Sequence, residues 1–255
     1  MRVDLNADVG EGRTGAPGVR GGDPALMPYI TSANVACGFH AGDPGVMRAT
    51  VMLARDHGVA VGAHPGFPDV EGFGRRELIV SPRDVEDFVV YQVGALAAIA
   101  AAEGVRLQHV KPHGALFNMA ARDAALADAI ARAASAIDRT LVLFGLPGSE
   151  LVAAGARVGL RTAREGFADR AYQPDGSLAS RQQPGAVIHD LETVVRRAVR
   201  MVCRHTVEAL DGSTVPLIIA TICVHGDTPG AADLAAAVRA ALEKAGVEVK
   251  AVGAA

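Results

Sequence analysis

Residues 217–230 read LIIATICVHGDTPG: eight residues without a charge, then His225 and Asp227 within three positions. An uncharged run this short, closed by Gly and Pro, suits a strand covered on both faces, as in a parallel sheet packed between helices. Polar turns directly after such strands are where α/β folds place their chemistry. The same unit recurs along the chain. Strands are predicted at 2–6, 29–36, 59–63, 107–111, 140–144 and 159–163 as well as 217–224, and GAVI (185–188) adds a short candidate. Helical patterns fill the gaps at 45–57, 81–103, 123–136, 148–157, 190–210 and 231–245. The first follows Asp43–Pro44, and the second opens with Ser81, Pro82 and acids, as a first helical turn prefers. The alternation predicts one β/α-repeating domain over 1–255, either a closed barrel or an open doubly wound sheet. Segments 10–28, 65–79 and 167–184 read as long loops beyond strand ends, and the terminal AVGAA carries no readable signal.

Composition narrows the function. Half of the 255 residues are apolar, yet aromatics make up 4% and Trp is absent, so the core must be built from Ala, Val, Leu and Ile. The net charge of −3, with no long basic run, argues against nucleic acid as a partner. No apolar stretch reads as a membrane span, and MRVDLNADVGEG lacks the basic start and apolar middle of a signal peptide. Cys37, Cys203 and Cys223 are odd in number and without metal-ligand spacing, which suggests reduced thiols in a cytoplasm. The oligomeric state, a homo-oligomer included, is left open.

Nearly every predicted strand runs into ionisable residues. The first holds Asp4 and Asn6 and leads to Asp8 and Glu11. The second leads to Asn34, His40 and Asp43. The third ends at His64, and its loop supplies Asp69, Arg75 and Arg76. The fourth gives Lys111 and His113, the sixth Glu165, Asp169 and Arg170, and the last His225 and Asp227. In a parallel barrel these positions converge on one rim, where acid–base groups come within reach of a single substrate. Four histidines after four strands are hard to explain as structure alone. His57, His109, His189 and His205 fall in helices, within a strand or at its edge, and read as structural.

Several of these residues carry two readings. Asp4 and Asn6 alternate with Val3 and Leu5, which suits either a site or a buried hydrogen-bond network. Asp43 is either a site residue or the N-cap ahead of Pro44, and Asp227 has the same two readings. Arg75 and Arg76 are either a solvated pair or a clamp for carboxylate or phosphate. Asp8, His40 and His64 suit a divalent Zn, Mn or Fe with open positions for water, and the same residues also serve a metal-free acid–base site. The chain has no P-loop, Rossmann fingerprint or Gly-x-Ser-x-Gly elbow, so it has no recognisable nucleotide site of its own. Cys37 reads as a small buried residue rather than a nucleophile.

Six segments, DLNADVGEG (4–12), SANVACGFHAGDP (32–44), GAHPGFPDVEGFGRR (62–76), VKPHGALFN (110–118), EGFADRAY (165–172) and CVHGDTPG (223–230), together resemble the LamB/YcsF family in content and order. The resemblance implies a TIM-like (β/α)7 barrel of the glycoside hydrolase/deacetylase type. It also implies ATP-dependent hydrolysis of 5-oxo-L-proline to L-glutamate, with ATP as co-substrate alongside Mg, and two partner 5-oxoprolinase subunits, B and C. Ala7 stands where the family usually shows Cys, so no essential thiol is expected there. For that reaction Asp8 or Glu11 is the expected general base, and His40, His64 and His113 donate protons or hold a divalent metal. Lys111 is assigned to developing oxyanion charge, and Arg75 with Arg76 to the substrate carboxylate as a fork. Asn6, Asn34, Asp43, Glu165, Asp169, Arg170, His225 and Asp227 complete the candidate substrate-binding set. A missing phosphate loop and a stable lactam suggest divided labour: partner subunits help to activate the lactam oxygen with ATP, and this chain supplies water-activating groups. The competing readings are a metal-dependent amidase or carbohydrate deacetylase acting without ATP, and a non-catalytic binding subunit.

Overall fold

Strand β1 (Arg2–Val9) sets the architecture. Val3, Leu5, Ala7 and Val9 point one way, Asp4, Asn6 and Asp8 the other, and all seven are buried. A strand whose polar face is as buried as its apolar face needs a closed sheet with a polar interior. The structure, a computed structural model, describes residues 1–12, 23–225 and 230–253, and for His225 the backbone only. Asp227 and the His225 side chain therefore lie outside the described residues.

After β1 come a short helix α1 (Asp23–Leu26) with a 3-10 turn (Met27–Tyr29), then β2 (Ser32–Ala36), α2 (Pro44–Asp56), β3 (Ala60–His64), α3 (Pro82–Ala102), β4 (His109–Val110), α4 (Gly114–Arg122) and α5 (Ala124–Ile137). The second half runs β5 (Val142–Gly145), α6 (Glu150–Arg157), β6 (Arg161–Phe167), α7 (Leu191–Arg204), the antiparallel hairpin β7 (Thr206–Glu208) and β8 (Thr214–Pro216), β9 (Thr221–His225), α8 (Ala231–Lys244) and β10 (Glu248–Val249). Strands β1 to β6 pair in sequence and in parallel, β6 pairs with β9, and β9 returns to β1. The seven-stranded barrel is thus closed, which decides between the two architectures the sequence allowed. Strand β10 adds to the start of β1 through Arg2 and Val3.

The helices begin where their caps dictate. Asp43 accepts from the Val46 N–H at the start of α2, and Ser81 forms a full capping box with Asp84 ahead of Pro82. Helix α3 packs Val85, Val89, Val93, Leu96 and Ala100 onto the core at helical spacing. Contrary to the expectation that no stretch would reach membrane-span length, these 21 residues do so by length and composition, and their apolar stripe is spent on the barrel.

Differences from the predicted elements are informative. Strand β1 extends to Val9, so Asp8 belongs to the strand rather than to the turn after it. Strand β6 runs 161–167 rather than 159–163, which places Glu165 inside it. Helix α4, within HGALFNMAAR, was not expected. Helix α7 stops at Arg204 because His205 takes a left-handed conformation, and 206–216 turn back as a hairpin. GAVI contributes a single bridge from Val187 to Arg170, not a strand.

Candidate active site

The register of the barrel puts polar side chains in layers. In the lower layer Asp4 accepts from the Thr31 hydroxyl at 2.6 Å, Ser32 at 2.7 Å and Thr221 at 2.5 Å. Above it, Asn6 donates to Thr221 Oγ1 at 2.6 Å and to Glu165 Oε1 at 3.0 Å. Asn34 donates to Asn6 Oδ1 at 2.7 Å and to Asp8 Oδ1 at 2.8 Å, and its own Oδ1 accepts from His109 Nε2 at 2.7 Å.

Lys111 stands at the centre of this network, 2% exposed. Its Nζ lies 2.8 Å from Asp8 Oδ1, 3.0 Å from Glu165 Oε1, 3.0 Å from Cys223 Sγ and 3.3 Å from Asn6 Oδ1. Burial opposes its charge, but the Asp8 and Glu165 carboxyls outweigh burial and hold its pKa well above the ordinary value. Burial raises the Glu165 carboxyl and pushes the Cys223 thiol well up, so Cys223 accepts from Lys111 as a neutral thiol. The three ammonium protons are therefore all engaged. This geometry suits Lys111 to keeping Asp8 ionised rather than to meeting a substrate oxyanion directly.

At the rim, Asp8 Oδ2 lies 3.4 Å from His64 Nε2. His64 Nδ1 meets the Lys111 carbonyl at 2.7 Å, so that nitrogen carries the proton. His113 meets His64 Nε2 through Nδ1 at 2.9 Å and the Phe73 carbonyl through Nε2 at 2.8 Å. The His40 ring stacks on His113 with centroids 3.8 Å apart, and Glu11 Oε1 lies 3.5 Å from both His40 Nε2 and His113 Nδ1. One ligand atom from each of Glu11, His40, His64 and His113 fits within 4.8 Å of the others. Burial, reinforced by the neighbouring imidazoles, depresses His40 and His113 well below the usual histidine value.

The wall behind the cluster is the 65–76 loop. Phe73 adopts φ 54°, a strained conformation outside glycine, and its carbonyl orients His113. Gly114, at φ 53°, leaves no room for a side chain against the Gly74 carbonyl, and this close approach seats the loop on the start of α4.

Of the expected residues, the structure brings together Asn6, Asp8, Asn34, Lys111 and Glu165 in the interior and Glu11, His40, His64 and His113 at the rim. The expected metal set of Asp8, His40 and His64 is rearranged: the two imidazoles converge with Glu11 and His113, while Asp8 stands beside them on Lys111 and Asn34. Arg75 lies over the Phe73 ring at 4.8 Å, whereas Arg76 is bound by Asp69, so the two do not form one fork. Asp43 serves as the cap of α2. Arg170 is buried and donates to the Ala179 carbonyl at 2.6 Å, which ties down the loop after β6; Asp169 is buried beside it. The sequence reading missed Ser32, Phe73, Thr221 and Cys223. Thr221 and Cys223 follow the alternation of β9, register with Asp4 and Asn6 across β1, and were detectable from that pairing.

His109, read as structural, is wholly buried, stacked on Phe144 at 4.3 Å, and pushed down to about 3 by burial. The folded state keeps it neutral while the unfolded chain protonates it below about pH 6.5, so its contribution is full above that pH and is lost as pH falls toward 3. Urea unfolding at pH 7, 6 and 5 should show wild type losing stability faster than His109→Gln by about 1 kcal/mol per pH unit. Equal slopes would refute the buried neutral ring.

Compared with known proteins, residues 3–255 match the LamB/YcsF family. The A subunit of 5-oxoprolinase from Tolumonas auensis is 56% identical over 98% of this chain and 99% of its own. The crystal structure of a lactam utilization protein from Thermus thermophilus superposes with TM-score 0.92 at 52% identity, over 98% of this chain and 100% of that one. A deacetylase at 15% identity reaches TM-score 0.50 over 97% of this chain and 86% of its own, a likeness of fold alone.

Proposed function

This chain belongs to the LamB/YcsF family, and we propose that it is the lactam-opening subunit of a cytoplasmic, ATP-dependent 5-oxoprolinase that converts 5-oxo-L-proline to L-glutamate. The observation that carries the reading is Asp8: a carboxylate at the barrel mouth, held ionised by a buried lysine and set against His64. A lactam carbonyl resists water because amide resonance must be broken, so a positioned base and an activated carbonyl oxygen are both needed. Asp8 takes the proton of the attacking water as it adds to C5. Asp8 then gives that proton to the ring nitrogen as the C–N bond breaks, and release of phosphate from the activated oxygen leaves the γ-carboxylate and the free amine. Arg75, at the rim, faces the substrate carboxylate. Partner subunits B and C help to activate the lactam oxygen with ATP and Mg, in keeping with a sequence here that carries no recognisable phosphate-binding motif. That the relatives are named as one lettered subunit of an oxoprolinase supports such partners.

Reconstitution tests the proposal: this chain with B and C subunits, 5-oxoproline and ATP, with glutamate measured. Glutamate should form only when ATP and all three subunits are present, and Asp8→Asn should lower its rate by about 10²–10⁴-fold. An unchanged rate would make the chain a non-catalytic subunit. Partner-free deacetylation of N-acetyl sugars without ATP would replace the proposal with the deacetylase reading.

A further inference from the structure

The rim histidines pose a problem that hydrogen bonding among themselves does not solve. His64 donates Nδ1–H to the Lys111 carbonyl at 2.7 Å, so its Nε2 presents a lone pair. His113 donates Nε2–H to the Phe73 carbonyl at 2.8 Å, so its Nδ1 presents one too. These two lone pairs face each other across 2.9 Å. His40 is 1% exposed, and neither of its ring nitrogens makes a hydrogen bond. The Glu11 carboxylate lies 3.5 Å from the nearest nitrogen of both His40 and His113. Lone pairs on His64 and His113 thus face each other, and one ligand atom from each of Glu11, His40, His64 and His113 lies within 4.8 Å of the others.

From this geometry we infer a divalent transition-metal site formed by Glu11, His40, His64 and His113, with Zn2+ as the best-matched ion. Metal–nitrogen bonds of about 2.0–2.1 Å place tetrahedral ligand atoms roughly 3.4 Å apart, close to the 3.5 Å spacings of Glu11 to His40 and His113. Three imidazoles, borderline nitrogen donors, beside a single carboxylate favour zinc over the hard oxygen-seeking Mg2+ or Ca2+. The second shell is already in place: backbone carbonyls of Lys111 and Phe73 fix the tautomers of His64 and His113, as ligating histidines require. A methyl group at Gly66 would crowd the His40 ring, and one at Gly74 would crowd the His40 Cβ and the His113 ring, so the two glycines leave both imidazoles room to reach the ion. Asp8, 3.4 Å from His64 Nε2, stays beside the centre as the carboxylate paired with Lys111. The site does not depend on the lactam-opening reading.

Metal uptake tests it without substrate, ATP or partners. Tag-free protein is stripped with a chelator, dialysed, and titrated with Co2+ followed by absorbance, with Zn2+ uptake counted by mass spectrometry of the metal. The expected result is about one equivalent, visible bands of a low-coordinate Co2+ centre, and displacement by Zn2+. His40→Ala and His113→Ala should each weaken uptake at least tenfold, while exposed His57→Ala should not. If a variant does not fold, thermal unfolding of wild type with and without Zn2+ takes its place, and a rise in Tm is expected. Less than a tenth of an equivalent in refilled wild type, or full uptake by both rim variants, overturns the inference. Neither result touches the reconstitution assay, so the two proposals fail separately.

Discussion

Lys111→Met abolishes glutamate formation in the reconstituted system, by at least about 10³-fold, and destabilises the chain by about 3–5 kcal/mol. The substitution keeps an unbranched side chain, one heavy atom shorter, and removes the charge together with its three N–H donors. Asp8 and Glu165 are then buried together with no cation between them, and Cys223 and Asn6 lose the donor they share. Two carboxyls that close cannot both stay ionised away from water, so one or both take up a proton. A protonated Asp8 accepts no proton from water, which is why the catalytic loss should exceed what the stability loss explains. The separation is measurable: assayed well below its own unfolding temperature, the variant should bind partner subunits yet turn over no substrate. A double variant, Lys111→Met with Glu165→Gln, removes one of the stranded carboxyls. It should recover part of the stability and none of the activity. A single Lys111→Met protein retaining a tenth of the wild-type rate would refute the claim that the ammonium holds Asp8 in its working state.

How much of this could be read from sequence depends on the range of the interaction concerned. The strand-end residues were legible because an apolar run that stops at a histidine or carboxylate is a local pattern. LIIATICVH and GAHPG are examples. The interior ladder was half legible. Asp4, Asn6 and Asp8 show their alternation plainly, but in β6 the adjacent charges Arg164 and Glu165 masked it. The predicted strand stopped at 163, short of both charges, whereas Arg164 faces solvent and Glu165 turns inward to Asn6 and Lys111. No local signal separates these two residues; only the closed barrel gives one of them a buried cation. The rim was the least legible. His113 was expected beside His40 and His64, but that Glu11 rather than Asp8 lies closest to them depends on barrel closure and on a strained Phe73 in a loop forty residues from His113. The Arg75–Arg76 pair failed as a fork for a similar reason: Asp69, seven residues earlier, folds back onto Arg76 through the turn at Gly72.

Gly62→Ala should cost about 3–5 kcal/mol, as overpacking and a lost buried hydrogen bond add together. Gly62 on β3 registers with Asn34 on one side and His109 on the other. His109 leans across the glycine to reach Asn34 Oδ1 at 2.7 Å, so its imidazole lies where the new methyl group must go. The ring cannot retreat, because Phe144 stacks on it at 4.3 Å. A shift large enough to admit the methyl breaks the bond to Asn34, leaving a buried amide oxygen unsatisfied and releasing the side chain that steadies both Asn6 and Asp8. The effect therefore reaches the site: activity should fall together with stability, although residue 62 touches no reacting group. Chemical unfolding of Gly62→Ala, His109→Ala and the double variant separates clash from other causes. If the clash is the cause, adding Gly62→Ala to the His109→Ala background costs less than about 1 kcal/mol, because the space is already vacant. Equal costs in both backgrounds would mean that glycine is needed there for its backbone alone, and the layer of Asn34, Gly62 and His109 would lose its role in holding Asp8.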